Sequence, residues 1–119
     1  MSTIKMIVGI FFLFLYNGNC EDVYAEQTST KIRVVNNSEF YFTGVSLFSM
    51  NFDNLKPGDS SSYKLLKYDP LKDDSLIYCI AEGYNYGRYL KLPDKEFGNY
   101  TYQIDSVKSK ILYVSLHSD

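Results

Sequence analysis

The stretch Leu76-Ile77-Tyr78-Cys79-Ile80-Ala81, LIYCIA, is a nearly unbroken apolar run bounded by polar residues on both sides. Six residues that mix β-branched, aromatic and aliphatic side chains have the length of a strand and are too few for a helix. The run predicts a central strand covered on both faces, with Cys79 a buried, inert thiol. Upstream, Asp69-Pro70-Leu71-Lys72-Asp73-Asp74 reads as a polar connection. Downstream, Glu82-Gly83-Tyr84-Asn85 reads as a turn into a second strand over residues 86–92, which Pro93 stops.

The same grammar extends outward in both directions. Lys31-Ile32-Arg33-Val34-Val35 alternates, with Ile32 and Val34 facing one way, and Asn36-Asn37-Ser38 ends it. Residues 40–50, FYFTGVSLFSM, are too many for one straight strand, and Gly44 marks a bulge or bend. Pro57 and Gly58 supply the fixed and the positive φ of a type II turn at Lys56-Pro57-Gly58-Asp59, joining strands near residues 52–55 and 62–68. Near the C-terminus, Tyr100, Tyr102 and Ile104 share one strand face, as do Leu112, Val114 and Leu116, with residues 106–110 as the polar link. No ten-residue window carries helical spacing. The expectation is an all-β fold: a single antiparallel β-sandwich of about seven strands over residues 31–117.

Two segments precede that domain. Lys5 followed by the apolar residues 6–16 and the polar exit Asn17-Gly18-Asn19-Cys20 reads as a secretory signal peptide, ending at or just before Cys20. The apolar tract falls short of the ~20 residues a membrane-spanning helix needs. Residues 21–30, EDVYAEQTST, have no hydrophobic period and read as a flexible acidic tether. Cys20 has three readings: disulfide partner of Cys79, last residue of the cleaved signal, or site of lipid attachment. A disulfide would tie the tether into a core strand, which geometry disfavours. Cleavage after Cys20 fits the small residues at Gly18 and Cys20, and acylation fits a cysteine that closes an apolar tract and opens a tether.

Composition excludes several classes of function. Lys5 is the single charged residue before Glu21, so eleven cations face fourteen anions in the remainder, a net charge of −3, with the signs interspersed. Phosphate recognition would need a clustered basic stripe, so no nucleic-acid partner is expected. The lone histidine, His117, lies near the C-terminus where chains fray, leaving no positioned imidazole for a Ser/His/Asp or Cys/His nucleophile and no His/Cys zinc set. PGDSSS lacks the glycines and lysine of a phosphate-binding loop. Asp69, Asp73 and Asp74 cluster on one loop, yet their spacing is not that of a calcium loop. No enzyme activity, cofactor or metal is expected. The surface candidate is Tyr84-Asn85-Tyr86-Gly87-Arg88-Tyr89, where Tyr84, Tyr86, Arg88 and Tyr89 are placed to stack on a sugar or anchor a protein. The alternative there is that tyrosines simply cover the sheet.

The pattern KIRVVNNSEFYFTGVSLFSMNF, NLKPGDSSSYKLLKYDP, LIYCIAEG and GNYTYQID resembles small secreted lipoproteins of Bacteroidetes bacteria, over almost all of the chain after residue 30. The resemblance implies an Ig-like sandwich with no assigned reaction, residing in the cell envelope on the outer membrane or cell surface. It further implies that Glu21 and Asp22 act as a surface-export signal behind a lipidated Cys20. Ser75 in Asp74-Ser75-Leu76 and Ser106 in Asp105-Ser106-Val107 look like O-glycosylation sites of those bacteria. Asn17 and Asn19 depart from the family's usual approach to the cysteine. In a eukaryotic source, Asn36-Asn37-Ser38 and Asn99-Tyr100-Thr101 would be N-glycan acceptors. The expected function is a non-catalytic envelope lipoprotein, an interaction or accessory module for a protein or glycan, anchored to a membrane. The alternative is a soluble secreted carbohydrate-binding module that uses the tyrosines.

Overall fold

The computed structural model describes residues 29–94 and 97–119. The segment read as a signal peptide, Cys20, Glu21, Asp22 and all but the last two residues of the stretch read as a tether lie outside the described residues. Eight strands follow in order: β1 (Thr30–Asn36), β2 (Phe42–Leu47), β3 (Met50–Leu55), β4 (Lys64–Leu65), β5 (Leu76–Ala81), β6 (Tyr84–Tyr89), β7 (Gly98–Lys108) and β8 (Ile111–Ser118). They form two four-stranded sheets, β4-β1-β7-β8 and β3-β2-β5-β6. Both contribute to one hydrophobic core: Ile32, Val34, Tyr102 and Ile104 from the first meet Phe42, Leu47, Ile77 and Cys79 from the second. The architecture is all-β and two-layered, as a β-sandwich requires.

One pairing corrects the expectation of a purely antiparallel sandwich. β1 runs parallel to β7, from Thr30 beside Gly98 to Asn36 beside Ile104. Between them the chain makes β2 and β3 in the second sheet, returns for β4, and crosses again for β5 and β6. A parallel neighbour needs such a long crossover, and alternation within either strand cannot reveal it.

Three hairpins are tighter than their sequences imply. Glu82 and Gly83 (φ 51° and 79°), Ser109 and Lys110 (52° and 63°), and Phe48 and Ser49 (51° and 66°) each turn in two residues with positive φ, as the right-handed strand twist favours. So β6 begins at Tyr84 rather than Tyr86, β7 continues to Lys108, and residues 40–50 hold a chain reversal as well as the bend at Gly44 (φ 58°). Phe48 carries no turn signal. Its ring is fully buried, edge-on to Tyr68 and Tyr102 with centroids 5.7 and 5.6 Å away, and this packing offsets the cost of its left-handed backbone. The Pro57-Gly58 turn forms as expected, with Gly58 at φ 85° and Asp59 N–H donating to the Lys56 carbonyl at 3.0 Å. The strand expected over residues 62–68 shrinks to β4 plus a single bridge between Ser60 and Val35.

Candidate functional site

β5 alternates strictly: Ile77, Cys79 and Ala81 are buried, while Leu76, Tyr78 and Ile80 turn to the other face. This corrects the reading of LIYCIA as covered on both sides. Its outward residues are apolar too, which hides the period of two from the sequence. Tyr78 lies opposite Gly87, Ile80 opposite Asn85 and Leu76 opposite Tyr89, so these six residues share the outer face of the second sheet. Gly87 contributes no side chain beside the Tyr78 ring. Tyr78 is 39% exposed and Tyr89 75%. Thr43 and Ser46 of β2 extend the face beside Ile80 and Tyr78, and Asn51 of β3 follows Ser46. No charged side chain stands among the six outward positions of β5 and β6. The result is an aromatic shelf that carries no charge on β5 and β6, edged by hydroxyl groups and by Asn51, whose Nδ2 donates to Asp53 Oδ1 at 3.1 Å.

Of the four surface residues singled out from the sequence, three lie off that shelf. Tyr84, Tyr86 and Arg88 alternate with Tyr89 along β6 and belong to the inner side of the sheet. Tyr86 is only 9% exposed and is part of the core. Arg88 crosses to the first sheet, where Nη1 donates to the Leu112 carbonyl at 2.9 Å and the guanidinium lies 5.5 Å from the Tyr113 ring. Tyr84 is exposed at the sheet end, with Lys110 Nζ 4.9 Å from its ring centroid. Arg88 and Tyr84 thus clasp β6 to the β8 edge, and only Tyr89 joins the shelf. Tyr78 is the partner that sequence reading missed; its signal was the alternation of Ile77, Cys79 and Ala81.

The polar residues weighed for chemistry are bound into the scaffold. Asp73 accepts the Asp69 N–H at 2.9 Å, and Asp69 accepts the Leu71 N–H at 3.0 Å, closing their own loop. Among the described residues, no three His, Cys, Asp or Glu side chains group to hold a metal. Cys79 is a free, fully buried thiol, and burial pushes its pKa up to about 12. Ser75 precedes β5 and Ser106 sits where β7 shifts register against β8; both are half-buried. Asn36 is wholly buried, which removes it as a glycan acceptor in the folded chain, whereas Asn99 is exposed.

His117 is not frayed: it pairs with Thr101 inside the β7–β8 ladder. Its Nε2 lies 3.0 Å from Ser115 Oγ, the one nucleophile–base contact in the molecule's described part. Asp119 completes no triad. Its Oδ2 accepts the hydroxyls of Tyr63 and Thr101, both at 2.6 Å, and faces Arg33 at 3.9 Å. Burial pushes its pKa up, but the Thr101 and Tyr63 hydroxyls and the Arg33 and His117 charges outweigh that and hold it below the usual carboxylate range. Ser115 is half-buried and His117 exposed, both within the β8 strand paired to β7.

What fold and surface define together is a two-sheet β domain whose outer face on β5 and β6 is aromatic and carries no charged side chain. No protein-family model matches the chain, and no curated protein matches it.

Proposed function

We propose that the chain is a non-catalytic β-sandwich lipoprotein of Ig-like type, an interaction or accessory module of the cell envelope held at a membrane by acylation of Cys20, with Glu21 and Asp22 as its export signal. The observation that carries the binding role is the shelf of Tyr78 and Tyr89. Two large rings held in water on a rigid sheet, with no charged side chain among the outward positions of β5 and β6, are suited to contact and not to bond-making. The loss of Asp119 to Tyr63 and Thr101 supports the non-catalytic part. A fluorophosphonate probe tests it: the full chain should remain unlabelled, and labelling that disappears in Ser115→Ala would overturn it.

A second reading is favoured by one feature of the same shelf. Aromatic faces flanked by Asn85, Ser46 and Thr43 pair apolar area with hydrogen-bonding groups, the combination that receives a neutral sugar ring. On this reading the carbohydrate site comprises Tyr78 and Tyr89, with Tyr86 and Arg88 supporting the sheet. An array of neutral glycans should show binding that the double variant Tyr78→Ala/Tyr89→Ala loses; binding that survives the double change removes the site.

A further inference from the structure

β8 has a strand neighbour on one side only, β7. Two hydrogen bonds establish which of its backbone groups face the open side. The Asp119 N–H donates to the Asn99 carbonyl at 2.9 Å, so residues 113, 115, 117 and 119 direct their backbone toward β7. The Leu112 carbonyl instead receives Arg88, so residues 112, 114, 116 and 118 direct theirs away. Arg88 satisfies the first of these. β6 ends at Tyr89, one residue beyond it, and the backbone edge of Val114, Leu116 and Ser118 has no partner among the described residues.

The side chains beneath that edge are also incompletely covered. Val114 and Leu116 are half-buried against the core, as are Leu90 and Leu92 across the gap. A cleft of about 320 Å³ lies between Arg88–Lys91 and Val114–Leu116, with Tyr102 among its lining residues, and a second of about 190 Å³ lies between Asp94 and Tyr100, Leu116 and Ser118. They share Leu116 as a wall, so they follow one another along the strand, as do the same-face side chains of an extended peptide. Lys91 and Asp94 pair with each other at 3.3 Å and Arg88 is committed, so among the described residues the groove offers no unpaired charge. β8 itself, ILYVSLHS, carries no Lys, Arg, Asp, Glu, Pro or Gly, the residues that guard an edge meant to stay free.

We propose that the β8 edge from Val114 to Ser118 is a docking site for an extended, uncharged strand of a partner protein, added to the first sheet with alternate apolar side chains entering the two clefts. Only another polypeptide strand matches a row of alternating N–H and C=O groups. A second copy of this chain fits less well, since each copy would bring its own 88–94 wall against the other's. The proposal rests on the interaction-module reading, and its test is read at β8 alone, separate from Cys20 and from the Tyr78 shelf.

The test is selection of displayed short peptides against the full chain, followed by amide hydrogen exchange with the enriched peptide. Alternating apolar sequences should be enriched, and the Val114, Leu116 and Ser118 amides should gain protection. N-methylation of alternate peptide amides, which leaves the protein untouched, should weaken binding by at least about tenfold, as should Leu116→Lys. Absence of enriched sequences, protection confined to other strands, indifference to N-methylation, or protection that grows with protein concentration without peptide would each overturn the proposal.

Discussion

Asn36→Ala is expected to be the most damaging single polar substitution in this domain. The Asn36 side chain is wholly buried at the end of β1. Its Nδ2 donates to the Phe40 carbonyl at 2.7 Å and the Leu55 carbonyl at 3.1 Å, while Oδ1 accepts the Ser38 N–H at 3.0 Å and the Ser38 hydroxyl at 2.6 Å. One amide therefore fastens β1, the turn after it and the end of β3, which lies in the opposite sheet. Alanine leaves the buried Ser38 N–H without its acceptor and strips the buried Leu55 carbonyl of its amide donor, whereas the part-buried Phe40 carbonyl can reach water. At ~1–3 kcal/mol for each stranded group, the loss is about 3–4 kcal/mol, a large share of the ~5–15 kcal/mol that holds a domain together. In urea the midpoint should fall by about 2 M at unchanged slope, and the melting temperature by ~15–25 °C. Asn37→Ala, at the exposed neighbour, is the control and should leave both unchanged. A loss below ~1 kcal/mol for Asn36→Ala would refute the assignment of Asn36 as the inter-sheet fastening.

Two further outcomes follow from other parts of the scaffold. Burial raises the Cys79 pKa from 9.0 to about 12, so the folded state favours the protonated thiol; stability is fully present below pH 9 and is lost as pH rises from 9 toward 12. Alkylation of Cys79 at pH 8 should be negligible until the chain unfolds, and Cys79→Ala should flatten the alkaline fall in urea titrations. Ser49 is exposed at φ 66°, so Ser49→Gly should relieve the hairpin and raise stability by about 0.5–1 kcal/mol in the same titrations.

Much of this architecture was legible because local rules act over a few residues. Alternation placed Ile32, Val34, Tyr100, Tyr102 and Ile104 on core faces, and Gly44 and the Pro57-Gly58 pair marked the bend and the turn. What escaped depends on contacts distant in sequence. The turn at Phe48 is stabilised by Tyr68 and Tyr102, and nothing in the residues around it demands positive φ. The parallel β1–β7 pairing and the buried role of Asn36 both require the opposite layer to be in place. Tyr86 and Tyr78 were interchanged for one reason: each sits in a stretch whose two faces are similarly aromatic or apolar, so the period of two has little contrast to reveal it. The clasp by Arg88 and the open edge of β8 likewise arise from where β6 ends relative to the other sheet.

The proposed attachment of this domain to a membrane is tested most directly by the chemical state of residue 20. Intact mass measurement of the chain extracted from the membranes of its native cells should give a mature species that begins at Cys20 and carries acyl mass on that residue. A mature chain beginning at Glu21 without acyl mass would contradict it.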